Sequence, residues 1–251
     1  MVKLSVNVNK VATLRNSRGG AEPSVLEAVG VCLDAGAPGI TVHPRADERH
    51  IRRADVFDIA AALEARRTAG ATVEFNIEGD ARPDFLDLVL EVKPDQCTLV
   101  PVVPGEVTSQ AGWAPDMSTA HLRDLIATMK KAGVRVSLFI DPEPASVAWA
   151  AEMAADRIEL YTEPFAKAFA RGDRPGRESF KRFADAARRA HAAGLGVNAG
   201  HDLDLANLVL FRTLPHLAEV SIGHALISRA LWVGLDRAVR EYLAVLRPAG
   251  I

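Results

Sequence analysis

What most limits the folds open to this chain is a repeat of type rather than of wording. A short apolar run rich in Val, Ile and Leu gives way to an alanine-rich stretch with helical periodicity, and the pair recurs from one end of the sequence to the other. Runs of strand length lie near Leu4–Val8, Gly39–His43, Thr72–Asn76, Gln96–Val100, Val134–Ile140, Arg157–Tyr161, Gly196–Asn198 and Glu219–Ile222. Eight runs in 251 residues give about 31 residues per strand-plus-helix unit, close to the smallest βαβ step. The runs read as hydrophobic without clean alternation, as strands covered on both faces do. Right-handed crossovers then close them into one ring. The expectation is an α/β protein: a single (β/α)8 TIM barrel domain over residues 1–251, with extra helical segments.

The punctuation agrees with that reading. Glu22-Pro23 is expected to open one helix, Asp55 to precede VFDIAAALEARR and Ser118 to precede TAHLRDLIATMKKAG. Gly36, Gly70, Gly133 and Gly194 sit where a left-handed residue must turn the chain from helix to strand. Two connections, 101–116 and 163–176, read as long loops, which in a compact domain are usually functional or disordered.

Charge and composition exclude several classes. Thirty Lys and Arg against 32 Asp and Glu leave a formal charge of −2, interspersed, so no basic stripe for nucleic acid is expected. No stretch reaches the ~18 apolar residues of a membrane span, and the N-terminus lacks a signal-peptide core. Cys32 and Cys97 lie among apolar residues and read as reduced thiols of a cytoplasmic protein.

Barrel enzymes carry their chemistry at the C-terminal ends of the strands. Here those ends offer Asn7 and Asn9-Lys10 after the first strand, His43-Pro44-Arg45 after the second, Glu74 and Asn76 in the third, Glu159 and Thr162 in the sixth, Gly200-His201-Asp202 after the seventh and Gly223-His224 after the eighth. Three histidines at strand ends, with His50 in the loop after the second strand, converge on one rim. The repeated Gly-His step allows a phosphate to approach backbone N–H groups closely. Arg18, Arg45 and His50 would add counter-charge. Glu74, a carboxylate inside an apolar strand, reads either as a general acid/base or as half of an ion pair within the barrel. His, Glu and Asp on a barrel rim can also hold a metal, but no H-x-H or H-E-x-x-H motif occurs, which lowers that option.

With these residues in view, the chain resembles the pyridoxine 5′-phosphate synthase family. The resemblance rests on VNVNKVATLRNSRGG (6–20), GITVHPRADERHI (39–51), LVPVVPGEVTSQAG (99–112), VSLFIDP (136–142), RIELYT (157–162), GVNAGHDL (196–203) and VSIGHALISRAL (220–231). It implies a cofactor-free barrel that condenses 1-deoxy-D-xylulose 5-phosphate with 3-amino-1-hydroxyacetone 1-phosphate, releasing pyridoxine 5′-phosphate, phosphate and water. By the same resemblance His43 and Glu74 are bases and His201 a proton donor. Asn7, Asp202, Gly223 and His224 hold the amino-ketone phosphate. Arg18, Arg45, His50 and Thr108 hold the deoxyxylulose phosphate, and the segment carrying Thr108 and Trp113 is a lid. The family also implies a homo-oligomer, usually an octamer.

Three departures stand out. Asn9-Lys10 replaces a usual Asp-His, Asp202 replaces a glycine after the Gly-His of strand 7, and Tyr161-Thr162-Glu163 replaces His-Thr-Gly. Asn9 and Lys10 are therefore candidate substrate contacts of a divergent subgroup. Two other functions remain open from the residues: a metal-dependent sugar-phosphate isomerase or aldolase using His43, Glu74, His201 and His224, and a barrel that binds a phosphorylated metabolite without turnover.

Overall fold

A computed structural model describes residues 1–102, 111–115 and 120–247. Its strands are β1 (Lys3–Asn7), β2 (Gly39–Val42), β3 (Glu74–Gly79), β4 (Gln96–Leu99), β5 (Arg135–Ile140), β6 (Arg157–Tyr161), β7 (Gly196–Gly200) and β8 (Leu217–Ile222). All neighbours pair in parallel and β8 pairs back onto β1, so the sheet is a closed barrel in sequence order. The helices among the described residues are α1 (Asn9–Asn16), α2 (Val25–Asp34), α3 (Arg53–Thr68), α4 (Pro83–Val92), α5 (Ala120–Lys131), α6 (Pro144–Glu152), α7 (Glu163–Ala170), α8 (Asp173–Ala192), α9 (Leu208–Phe211), α10 (His224–Val233) and α11 (Leu235–Leu246). α1 precedes the first crossover helix, α7 precedes the sixth, and β8 is followed by two helices. These are the extra helical segments.

The strands depart from the sequence reading in one instructive way: they do alternate. Leu4, Val6, Ile40, Val42, Phe75, Ile77, Cys97, Leu99, Val136, Leu138, Ile158, Leu160, Val197, Val220 and Ile222 form the apolar core with the surrounding helices. Most of the intervening positions are polar and meet across the barrel interior, with Phe139 and Tyr161 as apolar exceptions. Ser5 bonds Thr41, Thr98 bonds Asn76 and Glu159, Asn198 bonds Gln96 and Glu219, and Ser221 bonds Glu78. Buried polar groups persist because they satisfy one another.

Local chemistry explains the helix ends. Gly36, Gly70, Gly133 and Gly194 all have φ between 81° and 100°, the conformation expected after a helix. Ser24, rather than Glu22-Pro23, caps α2, its side chain accepting the Glu27 N–H. Asp55 lies inside the first turn of α3, where its carboxylate accepts the Arg52 N–H. The stretch 163–176 is no long loop: α7 fills it, stacking Phe165 and Phe169 beside Phe180, Phe183 and Phe211. Ser118 lies outside the described residues.

Candidate active site

A cavity of about 350 Å³ opens at the C-terminal mouth of the barrel. Asn7, Asn9, Lys10, His43, Arg45, His50, His201, Asp202, Gly223 and His224 line it, as expected from the sequence. So do Glu159, expected at the end of the sixth strand, and Glu78, Glu163, Ser221, Val100 and Phe139, to which the sequence assigns no site role.

Glu74 is the main correction. It begins β3, at the opposite end of the barrel, where it forms ion pairs with Lys3 and Arg135. The carboxylate at the mouth is Glu78, four residues on and about 13 Å further along a strand rising ~3.3 Å per residue. The two share a face because strand side chains repeat every second residue. Arg18 is likewise not brought to the cavity; it is exposed, two residues past the end of α1. Its neighbour Arg15 is buried, doubly bonded to Asp55 and to the carbonyl of His50, and so ties α1 to the His50 loop. Thr108 lies outside the described residues. Trp113 of the expected lid is anchored, its indole N–H donating to the Leu99 carbonyl at 2.9 Å and its backbone N–H to Phe139.

On the cationic side, Asn9 is a brace. Its side-chain oxygen accepts the backbone N–H of His43 at 2.9 Å, while its own N–H donates to Asn7 Oδ1 at 3.0 Å. An amide oxygen does this as well as a carboxylate oxygen would, so Asn in place of Asp keeps the acceptor and drops the charge. His43 is buried and its Nε2 has no hydrogen-bond partner among the described residues. Burial, reinforced by the positive charge of His50, Arg45, Arg82 and Arg49, lowers its pKa to about 3, so the imidazole is neutral. His50 stands edge-on to it at 6.1 Å and accepts the Ile51 N–H on Nδ1, which leaves Nε2 as the protonated nitrogen. Burial and the nearby Arg45 and Lys10 bring the His50 pKa down to about 4.

The floor is carboxylic. Burial raises the Glu78 pKa to about 8, opposed by the Ser221 hydroxyl and assisted by Glu219. Burial likewise pushes Glu159 well up, with Glu78 and Glu219 adding repulsion. Asn7 Nδ2 approaches Glu78 Oε2 at 3.4 Å, and His43 Nδ1 lies 3.8 Å from the same oxygen. A neutral imidazole thus faces a protonated carboxyl across the cavity floor.

The third side carries the other departures. Glu163 opens α7, accepts the Tyr161 hydroxyl and pairs with Lys167 at 2.9 Å. Burial and that bond to Glu163 keep the Tyr161 phenol protonated. Asp202 Oδ2 lies 3.4 Å from His201 Nδ1. At Gly223 an added Cβ would sit 3.1 Å from Asn7 Cβ, so a side chain there would press on the end of β1 beneath the His224 turn. Among the described residues no group of three or more His, Cys, Asp or Glu is placed to hold a metal ion.

Comparison with known proteins decides the family. The model for the pyridoxal phosphate biosynthesis protein PdxJ matches residues 4–248. The chain belongs to the PdxJ family. A curated relative from Bacteroides thetaiotaomicron named pyridoxine 5′-phosphate synthase is 50% identical over 248 residues, covering 98% of this chain and 100% of that one. One of the same name from Leptospira biflexa is 49% identical over 253 residues, covering 98% and 97%. PdxJ membership agrees with the fold seen in solved structures of low identity. The 3-hexulose-6-phosphate synthase from Salmonella typhimurium superposes with TM-score 0.64 at 14% identity over 98% of each chain. Thiamine phosphate pyrophosphorylase from Pyrococcus furiosus does so with 0.61 at 14% over 98% and 95%. Among the described residues of this PdxJ protein no helix is long and apolar enough to cross a membrane.

Proposed function

We propose that the chain is a pyridoxine 5′-phosphate synthase, condensing 3-amino-1-hydroxyacetone 1-phosphate with 1-deoxy-D-xylulose 5-phosphate by general acid/base chemistry at the barrel mouth. The observation that carries the reading is the cavity floor, where a neutral imidazole, His43, whose Nε2 has no hydrogen-bond partner among the described residues, stands beside a carboxyl that burial keeps protonated, Glu78. Imine formation needs both at once. The attacking ammonium must lose a proton, and the carbinolamine hydroxyl must gain one to leave as water. His43 Nε2 takes the first proton and Glu78 supplies the second. His201, on the other side, donates to the departing phosphate.

Charge is divided to suit two phosphorylated substrates. Lys10, Arg45 and His50 cluster on one side and would hold the deoxyxylulose phosphate, with Lys10 supplying a permanent cation. Thr108 keeps its place in this reading on the family resemblance alone. Asn7 and the turns at Asp202, Gly223 and His224 would hold the amino-ketone phosphate, using main-chain N–H groups. No step calls for a metal or an organic cofactor. The proposal places the enzyme in the cytoplasm as a homo-oligomer, octameric by family resemblance; Leu231 and Trp232, 68% and 84% exposed on α10, would suit a second copy.

Phosphate release tests the reading. Inorganic phosphate should appear only when both substrates are present, in a 1:1 ratio to each consumed. Release from the deoxyxylulose phosphate alone would favour a phosphate-eliminating lyase, its consumption without phosphate release an isomerase or aldolase, and tight binding with no consumption a sensor.

A further inference from the structure

His201 and Asp202 are both in the left-handed backbone region, with φ 86° and 60°. Neither is glycine, and two such residues in succession persist only where their surroundings impose the conformation. Two buried side chains do so here. The Thr162 hydroxyl, fully buried, is directed at the carbonyls of Gly200 and His201. Asn207, also buried, donates from Nδ2 to the Asp202 carbonyl at 3.0 Å and is itself fixed by Asp204.

The strained turn sends both side chains into the cavity and brings Asp202 Oδ2 to 3.4 Å from His201 Nδ1. The imidazole also meets the Tyr161 ring edge-on at 5.1 Å and 73°. It thus contacts both an aromatic ring and a carboxylate. The other charged groups near the pair are Glu163 and Lys167 on α7, His224 at the start of α10, and Asp141 after β5. Glu163 is engaged by Tyr161 and Lys167. Asp202 stays ionised, because its contact with His201 holds its carboxyl below the usual range. A fixed negative charge would repel a phosphate at this point, so its side chain is poorly suited to bind one.

We propose that Asp202 is a positioning residue for the reaction: its carboxylate fixes His201 through Nδ1, so that Nε2 is presented to the substrate. The inference rests on the proposed role of His201 as proton donor. It gives the aspartate that replaces the family's glycine a task its main chain alone would not have.

The test compares the parent enzyme with Asp202→Asn, Asp202→Gly and His201→Asn, measuring kcat, the KM of each substrate and Tm. Both Asp202 variants should lose about tenfold in kcat, part of the 10²–10⁴-fold scale of a general acid, with both KM values within about twofold of the parent. Asp202→Gly should melt at or above the parent temperature, because glycine takes φ 60° without strain. Activity would then fall while stability holds or rises, which a merely structural aspartate could not produce. Parental kcat in either Asp202 variant overturns the inference, as does a loss confined to the KM of the amino-ketone phosphate. If His201→Asn is inactive while the Asp202 variants are not, only this inference fails. Parental turnover in His201→Asn would remove the proton-donor reading and this inference with it.

Discussion

His43 Nδ1 lies 3.8 Å from Glu78 Oε2 at the floor of the barrel mouth, and burial moves the two pKa values in opposite directions, to about 3 and about 8. Both groups are therefore neutral near pH 7. The pair can take one proton and give another without first separating charge in a buried site.

Glu78→Gln should cut turnover by roughly 10²–10⁴, the usual range for a general acid or base, while the fold survives. Glu74→Gln should do the reverse. It leaves Lys3 and Arg135 without their shared carboxylate at the far rim, so Tm falls while kcat stays near parental. Steady-state kinetics and thermal melts on both variants check this; a catalytic loss in Glu74→Gln with none in Glu78→Gln would reverse the assignment.

The rate should depend on pH through the same carboxyl. The Glu78 pKa is raised to about 8, so the protonated form prevails at neutrality and kcat/KM should decline as pH rises past that value. The same raised pKa means that the fold binds this proton more tightly than the unfolded chain does. Its contribution to stability is present below about pH 4.5 and is lost as pH climbs through about 8. In Glu78→Gln both the alkaline limb and that loss of stability should disappear, which a pH series of rates and melts would show.

The buried histidines act with the opposite sign. His43 and His50 have pKa values depressed to about 3 and about 4 from an ordinary 6.5. Below pH 6.5 the unfolded chain takes up protons that the fold refuses, so stability is lost as pH falls from 6.5 toward those values. His43→Gln should flatten the drop in Tm between pH 7 and pH 4.5. Parallel slopes for parent and variant would contradict the burial of a neutral imidazole.

Lys10→Met tests the cationic side. If Lys10 meets the deoxyxylulose phosphate, KM for that substrate should rise about 10- to 150-fold, the equivalent of losing roughly 1.5–3 kcal/mol, with little change for the amino ketone. Varying each substrate in turn separates these outcomes, and equal effects on both KM values would contradict the assignment.

Much of the barrel was legible in the sequence because outward-facing residues such as Ile40, Val42, Ile77 and Leu99 bury against helices and so mark each strand. Its interior was harder to read. Ser5, Thr41, Asn76 and Thr98 satisfy one another inside the ring, so a buried face carries the polar residues usual on a solvated one. That is why β3 seemed to end at Asn76: Glu78-Gly79 has the composition of a loop, yet Glu78 is buried and Gly79 packs against Phe85, whose ring lies 2.3 Å from where a Cβ would be. The difference moves the proposed catalytic carboxylate by four residues, about 13 Å along the strand. The histidines were easier, since Pro44 and the two Gly-His steps mark where their strands stop. Glu163 is harder to place because the prolines and glycines of 163–176 read as loop where α7 forms, and the side-chain bonds from Thr162 that shape the His201 turn leave no trace in local sequence.

The central claim is that this mouth joins two phosphorylated substrates into one ring. Mass spectrometry of the purified chain mixed with 1-deoxy-D-xylulose 5-phosphate and 3-amino-1-hydroxyacetone 1-phosphate measures it most directly. The account predicts pyridoxine 5′-phosphate, formed without added metal or cofactor and at a rate roughly 10²–10⁴-fold lower with Glu78→Gln. Unchanged substrates, or an isomer of one of them with no joined product, would contradict it.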